Sequence, residues 1–566
     1  MFRRLTPLTI AGLCTLLSVA QPLAAPAQPA PARPHRKQHD VAAGAPASEA
    51  RAVRAFNLAR QSPLELRAFL ARMPKGADLH MHLSGAVYAE TFLNDARADL
   101  LCVDPRTLSL VKNVGTTRSI PPQPVCAEGN VRADSAFPPM PDAQHLYNAL
   151  VDSFSMRSFV PSAGISAHDQ FFATFARFGG IAKSHLGEWL DEVATRAAAQ
   201  NEQYLEIMET PPFPNELRLA SEIEWPHAPS APISLEAQDI TGTSRDELAQ
   251  LRDKLLAGGL RDDVARDRRD LAAALTARKE IEHCGQPNAS SACSVDIRFL
   301  FQVLRSNPPQ LVFGETLLAF EVAAAEAATA HPIVVGLNFV QPEDDFLAMT
   351  EYTRQMRMLD YLHTVYPQVH IALHAGELAP GLVPPAGLRF HIREAVDLGH
   401  AERIGHGVDI MYETDPQALL KEMAERHIMV EINLTSNDVI LGVSLNRHSL
   451  PAYRAAGVPI ALSTDDEGVS RIDLTHEYAR AATDFNLGYL DLKQMARTSL
   501  EHSFLPGASL WTSPDLFTRL DPACAAQPIG ADAPAPRCTN FLRSNQKAAE
   551  QWQLEHRFVI FESNLP

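Results

Sequence analysis

No Cys-x-x-Cys pair occurs anywhere in the 566 residues, which argues against thiolate ligation of zinc. Basic charge is in short supply too. Fifty Lys and Arg against 67 Asp and Glu leave a formal charge of −17, the wrong sign for a phosphate-binding surface. Nucleic acid is excluded as a partner on that ground, and the acidic excess mostly serves solubility. Beyond the first 27 residues no apolar run is long enough to span a bilayer, so no membrane span is expected. What is present is ordinary globular material. A hydrophobic content of 46% with 21% charged residues suffices for a sizeable core.

The start of the chain reads as a leader. "MFRR" is basic, "LTPLTIAGLCTLLSVA" is apolar, and small residues suited to cleavage follow, so residues 1–27 are expected to be a signal peptide. Cys14 follows Leu13 rather than a small residue, which weighs against a lipoprotein anchor. The mature protein is expected to be exported, periplasmic or secreted. Its six remaining cysteines fall into three local pairs, Cys102–Cys126, Cys284–Cys293 and Cys524–Cys538, the economical choice among 15 connectivities. Residues 28–48 are Pro/Ala-rich without a period and read as a disordered linker. Residues 49–73 turn helical, with Leu58, Leu64, Leu66, Phe69 and Leu70 as the expected buried positions.

Eight short apolar runs then alternate with helical stretches: "GADLHMHL", "YLEIM", "DIRFLFQVL", "IVVGLNFV", "VHIALHAG", "RIGHG", "IMVEINL" and "PIALSTDD". Continuous apolar strands separated by helices indicate a parallel sheet buried on both faces, and eight of them predict a closed (β/α)8 TIM barrel, an α/β fold. An open doubly wound sheet is the competing arrangement, but no glycine-rich phosphate loop follows any of these runs. The barrel is expected over 74–510, with a disulfide-bearing insertion at 97–147, a second insertion at 212–292 and a C-terminal extension at 511–566. The dense charges of the second insertion are expected to be a solvated helical face.

Chemically able residues collect where these runs stop. The first ends with His80 and His82, whose i, i+2 spacing puts both imidazoles on one face of a strand. The fifth ends in "HAGE" with His374 and Glu377, the sixth in "IGHG" with His406, the eighth in "STDD" with Asp465 and Asp466. In a barrel all these ends meet at the C-terminal rim, where such enzymes keep their active sites. Three imidazoles and a carboxylate form a zinc shell with a position left for water, whose pKa the metal lowers to near 7. Glu377 then suits a proton donor, His406 a base for the water, and Asp466 a hydrogen-bond partner for a ring nitrogen. No lysine occurs in 331–345, which counts against a carbamate-bridged pair of metals.

"LHMHLSG", "HAGE", "IGHG" and "STDD", in this order, resemble the metal-dependent adenosine/AMP deaminase family of the amidohydrolase superfamily. The leader, the cysteine-bearing insertion and "SLEHSFLPG" at 499–507 are similar to its secreted, growth factor-like branch. The resemblance implies one zinc per chain on His80, His82, His374 and Asp465. It implies attack of the activated water at purine C6, with Glu377 protonating N1, His406 assisting and Asp466 holding N7, so that adenosine becomes inosine and ammonia. Two positions depart from the pattern. Ser84 stands where the family has an aspartate serving the ribose, and Gln341 where a glycine amide meets the purine; both are counted as substrate-binding positions. The signature of the cytidine-type zinc deaminases is absent.

The expected partner is therefore a small purine nucleoside, and a homodimer is an allowed assembly. Two alternatives stay open: deamination of a modified adenosine or of free adenine, and an extracellular binding or growth factor-like protein with residual deaminase activity.

Overall fold

A computed structural model describes residues 47–566 apart from 120, 163, 182, 224 and 226–243. The expected signal peptide and nearly all of the expected linker lie outside the described residues. All eight apolar runs are parallel strands of one sheet: β1 (Gly76–His82), β2 (Glu202–Glu209), β3 (Asp296–Leu304), β4 (Val334–Val340), β5 (His370–Ala375), β6 (Arg403–His406), β7 (Met429–Ile432) and β8 (Ile460–Leu462). Each pairs with the next in sequence. The chain beyond β8 returns to β1: Met81 bridges Asp465 in parallel, and Asp465 N–H donates to the His80 carbonyl at 2.9 Å. Asp78 reinforces that seam, accepting the Thr464 N–H at 3.0 Å and its hydroxyl at 2.6 Å. The sheet is thereby closed into a (β/α)8 barrel.

Burial explains the strand composition. Every residue of β1, β2 and β4 is buried, since the barrel interior covers one face and the helical ring the other. Helices such as Pro309–Ala327 and Phe346–Val365 supply that ring.

Before β1 the chain makes two helices, Ala47–Ala59 and Pro63–Arg72, with Ser62 capping the second and Pro63 opening it. The break corrects the expected buried set. Leu58 and Leu64 are 66% and 83% exposed, whereas Ala52, Phe56, Leu66, Phe69 and Leu70 are buried. A single helical period run through residues 60–62 puts the wrong face inward, because the turn there re-phases the second helix. Phe69 packs edge-on against Tyr489 and against Phe561 of the C-terminal helix Gln546–Ser563, so both ends of the described chain share one aromatic contact.

The three local cysteine pairs are disulfide-bonded as expected. Cys102–Cys126 ties the short antiparallel strands that follow β1. Cys284–Cys293 closes the turn between helix Leu260–Ile281 and β3. That helix is not purely a solvated face: Asp263, Asp267 and Arg278 are buried. Arg278 pairs with Glu282 and donates to the carbonyls of Ala292 (2.7 Å) and Val295 (2.9 Å), bracing the entry to β3. Among the described residues no helix is long and apolar enough to cross a membrane.

Candidate metal centre and pocket

The C-terminal strand ends bring the sequence-selected side chains to one point. β1 delivers His80 and His82 with ring centroids 5.7 Å apart. β5 delivers His374; Gly376 then turns at φ +73° and Glu377 follows. A Cβ on Gly376 would come 2.4 Å from Asp409 Oδ1 and 2.7 Å from Ile392, so the turn needs a glycine twice over. His406 at φ +69° and Asp465 at φ +61° hold the left-handed conformation, uncommon for side-chain-bearing residues and concentrated at functional sites.

His80, His374, His406 and Asp465 each offer a ligand atom within 4.8 Å of the other three, and His82, Asp465 and Asp466 make an overlapping set. His82 Nε2 faces His374 Nε2 at 3.2 Å, and Asp465 Oδ1 lies 3.4 Å from His82 Nε2 and 3.6 Å from His80 Nε2. His406 Nε2 is 3.8 Å from Asp465 Oδ2 and 3.7 Å from Glu377 Oε1, the only one of the four rings paired with the glutamate. All these side chains are buried.

The Nδ1 side of each ring is already taken. His80 Nδ1 lies 2.6 Å from Glu431 Oε2, His82 Nδ1 2.9 Å from Gln302 Oε1, His374 Nδ1 2.9 Å from Asn338 Oδ1, and His406 Nδ1 2.9 Å from Asn437 Oδ1. The nearest partner of each Nδ1 is an acceptor oxygen, so the tautomer with the proton on Nδ1 suits each ring and leaves its Nε2 lone pair inward. The Asn433 amide nitrogen also approaches His406, at 3.4 Å from Nδ1 and 3.5 Å from Nε2. His80 Nε2 is buried with no hydrogen-bond partner. Four inward lone pairs beside a carboxylate are a donor set that fits a cation, and the nitrogen-rich composition suits zinc-type metals rather than calcium or magnesium.

The electrostatics carry the same tension. Burial opposes charge on His80, but the Asp465 and Glu431 carboxylates outweigh it and lift the ring to about 10. Without a cation Nε2 of that ring therefore also carries a proton, which a metal ion bound there would displace. Burial drives His406 down to about 4 and His374 well below the usual imidazole range. Glu377 and Asp466 are pushed well above the carboxylate range, first by burial and then by the charge of Asp465. A divalent cation among these atoms would occupy the lone pairs and balance the crowded carboxyls.

Beside this centre lies a cavity of about 350 Å³. Phe171, Phe172 and Phe175 of helix Ala167–Arg177 form an apolar wall, and among the described residues no Lys or Arg lines the cavity. The wall is tied to the loop after β4 by His168 Nε2 and Asp344 Oδ1 at 3.0 Å. Ser84, Gln341, Glu377 and Asp466 line the cavity as well. Gln341 holds φ +83°, a conformation that favours glycine, and its side-chain oxygen is occupied by the Ser306 N–H at 2.9 Å. A Cβ on Gly85 would sit 1.4 Å from Asp466 Oδ1, so only glycine leaves that carboxylate its place.

Sequence reading missed the holders: Gln302, Asn338, Glu431, Asn437 and the phenylalanine wall. Asn338 and Glu431 are polar residues inside otherwise apolar strands, and that interruption was the available signal; Gln302 lies in β3, which also carries Asp296 and Arg298. Glu343 was also missed; its carboxylate accepts the backbone N–H of Gly376 (3.1 Å) and of Glu377 (2.7 Å), with His391 Nδ1 at 2.6 Å.

The family model described as adenosine deaminase matches residues 275–510. An adenosine deaminase from Escherichia coli (strain SE11) is 39% identical over 137 residues, 24% of this chain and 38% of that protein. The match thus spans well under half the length of that curated relative. Among solved structures, the apo N6-methyl-AMP deaminase from Arabidopsis thaliana is 18% identical with a TM-score of 0.47, covering 78% of this chain and 94% of that one. An amidohydrolase from Burkholderia ambifaria with bound zinc is 17% identical with a TM-score of 0.47, covering 88% and 94%.

Proposed function

We propose that the protein, whose residues 275–510 match the adenosine deaminase family model, is a zinc-dependent hydrolytic deaminase of a purine-type amine. Adenosine is the preferred substrate, giving inosine and ammonia. The observation that carries this reading is the convergence of four Nδ1-anchored imidazoles and Asp465 beside a buried glutamate, at the mouth of a cavity of small-molecule size.

In this reading His80, His82, His374 and Asp465 hold one zinc ion. A zinc ion held there would lower the pKa of a bound water to near 7 and so make a nucleophile available at neutral pH. His406, whose Nε2 stands between Asp465 and Glu377, orients that water and takes its proton. Glu377 gives a proton to ring N1 as the oxygen adds to C6; the amine leaves as ammonia with the proton that His406 took from the water, and the C6 hydroxyl proton returns to Glu377 as the carbonyl forms. Asp466 holds N7, while Ser84 and Gln341 meet the rest of the substrate. Among the described residues the cavity wall has carboxyls and no Lys or Arg, which supports a nucleoside or base over a nucleotide. Free adenine or a modified adenosine remains the second reading, because Ser84 gives the sugar end an uncharged contact. Export to an oxidising compartment belongs to the same proposal and is supported by the three disulfides.

The test is to incubate zinc-loaded protein with adenosine, 2′-deoxyadenosine, adenine, N6-methyladenosine and AMP, following ammonia release and purine absorbance. Turnover of adenosine with little of AMP is expected. No release from any adenine compound would overturn the proposal.

A further inference from the structure

Beneath the metal centre the barrel interior holds a guanidinium. Arg403 of β6 is fully buried, with its Nη2 2.7 Å from Glu206 Oε2 and its Nε 2.6 Å from Glu431 Oε1. Both carboxylates are fully buried as well. The guanidinium lies 3.8 Å over the Phe504 ring and donates to the His502 carbonyl at 3.0 Å. Glu206 is fixed in turn by Tyr204 Oη (2.9 Å) and the Phe504 N–H (2.6 Å). The second oxygen of Glu431 is the one that receives His80 Nδ1.

Stability does not account for this arrangement. Taking three charges out of water costs several kcal/mol per ion, and well-packed apolar residues of similar volume commonly do as well or better. What the triad supplies is a fixed position. Glu431 has one oxygen gripped by Arg403, so the other can stand only where it meets His80. The same strand clears the space for that ring, because a Cβ on Gly405 would come within 2.6 Å of His80 Cε1.

We propose that Arg403 and Glu431 are positioning residues for the metal centre: Arg403 aims Glu431, and Glu431 holds His80 with its proton on Nδ1 and its Nε2 lone pair toward the cation. The inference rests on the reading of His80 as a ligand. It extends the site by two residues that touch neither metal nor substrate. Neither lies in one of the four motifs, although the glutamate interrupts the apolar run of β7 and the arginine opens β6.

The test compares zinc affinity of the metal-freed wild type with Glu431→Gln, by chelator competition, together with the visible spectrum of the cobalt(II)-substituted forms. Glu431→Gln leaves the Arg403–Glu206 pair charge-balanced, so the fold has no new unpaired charge. Its amide can present N–H₂ to His80 and favour the wrong tautomer. Zinc affinity is expected to fall about 10–100-fold, the usual consequence of removing such a partner, and the cobalt spectrum to shift. The double variant Arg403→Met/Glu206→Gln keeps Glu431 but frees it; a smaller loss of affinity and a shifted spectrum are expected. Thermal unfolding of the metal-free proteins identifies variants that merely lose the fold. Folded Glu431→Gln that binds zinc within twofold of wild type with an unchanged cobalt spectrum would overturn the proposal. A wild type that binds no zinc at all would overturn the functional reading instead.

Discussion

Asp465 and His80 are joined through their backbones: the Asp465 N–H donates to the His80 carbonyl at 2.9 Å, across the seam where the barrel closes. The proposed ligand on the last strand end is thereby set by the same contact that sets the proposed ligand on the first. Asp78 spans the same seam with three accepted bonds, from His80 N–H, Thr464 N–H and the Thr464 hydroxyl. Asp78→Ala leaves those donors buried without a partner. We expect a loss of at least about 3 kcal/mol of unfolding free energy in the metal-free protein, measured by urea denaturation. A loss below 1 kcal/mol would show that the seam is held by something else.

Gly85 faces Asp466 with no room for a methyl group. Gly85→Ala must displace the Asp466 carboxylate while leaving the four proposed ligands in place. The expected result is a fall in kcat/KM with zinc content unchanged. Wild-type kinetics in the variant would remove Asp466 from the substrate contact.

Ser84 is short and uncharged, whereas Asp466 is a buried carboxyl beside the metal centre. The proposed deaminase should therefore tolerate changes at the sugar better than loss of ring nitrogen N7. Adenosine, 5′-deoxyadenosine and 7-deazaadenosine, compared by ammonia release, test this directly. Equal turnover of the 7-deaza compound with failure of the 5′-deoxy compound would reverse the assignment.

Glu216 and Glu315 are both buried and near one another, and Glu315 accepts the backbone N–H of Leu304, a residue of the cavity wall. Burial and the Glu315 carboxyl raise Glu216 to about 9, and burial raises Glu315 to about 8. Their folded pKa values lie above the unfolded value of about 4.5, so the folded state holds more protons between these limits. Stability from these groups is full below that lower limit and is lost as pH rises through 8 and 9. Glu216→Gln mimics the protonated form. It should gain stability over wild type on the order of 1 kcal/mol or more at pH 9, shrinking toward pH 5. A gain independent of pH would contradict the burial account.

The strands and their functional ends were legible because each is a local pattern: an apolar run, then His, Glu or Asp at a break. The disulfide pairs were legible because the partners are close in sequence. Leu58 and Leu64 misled because a three-residue turn resets the helical period, a shift that apolar spacing alone does not show. Glu431 and Asn338 were missed because their meaning depends on which residue of a neighbouring strand lies opposite. Arg403 was missed for the same reason, since a charged residue opening a strand usually points to solvent and here points to the barrel axis.

The central claim separates a proton donor from a metal ligand, and one paired measurement tests it: bound zinc and ammonia release from adenosine, determined on the same samples of wild type, Glu377→Gln and Asp465→Ala. General acid–base catalysis contributes about 10²–10⁴-fold, and adding water to an unprotonated purine should place the loss at the upper end or beyond. The account predicts one zinc per chain in wild type and in an inactive Glu377→Gln, with zinc depleted in an inactive Asp465→Ala. Near-wild-type ammonia release by zinc-bound Glu377→Gln would contradict it.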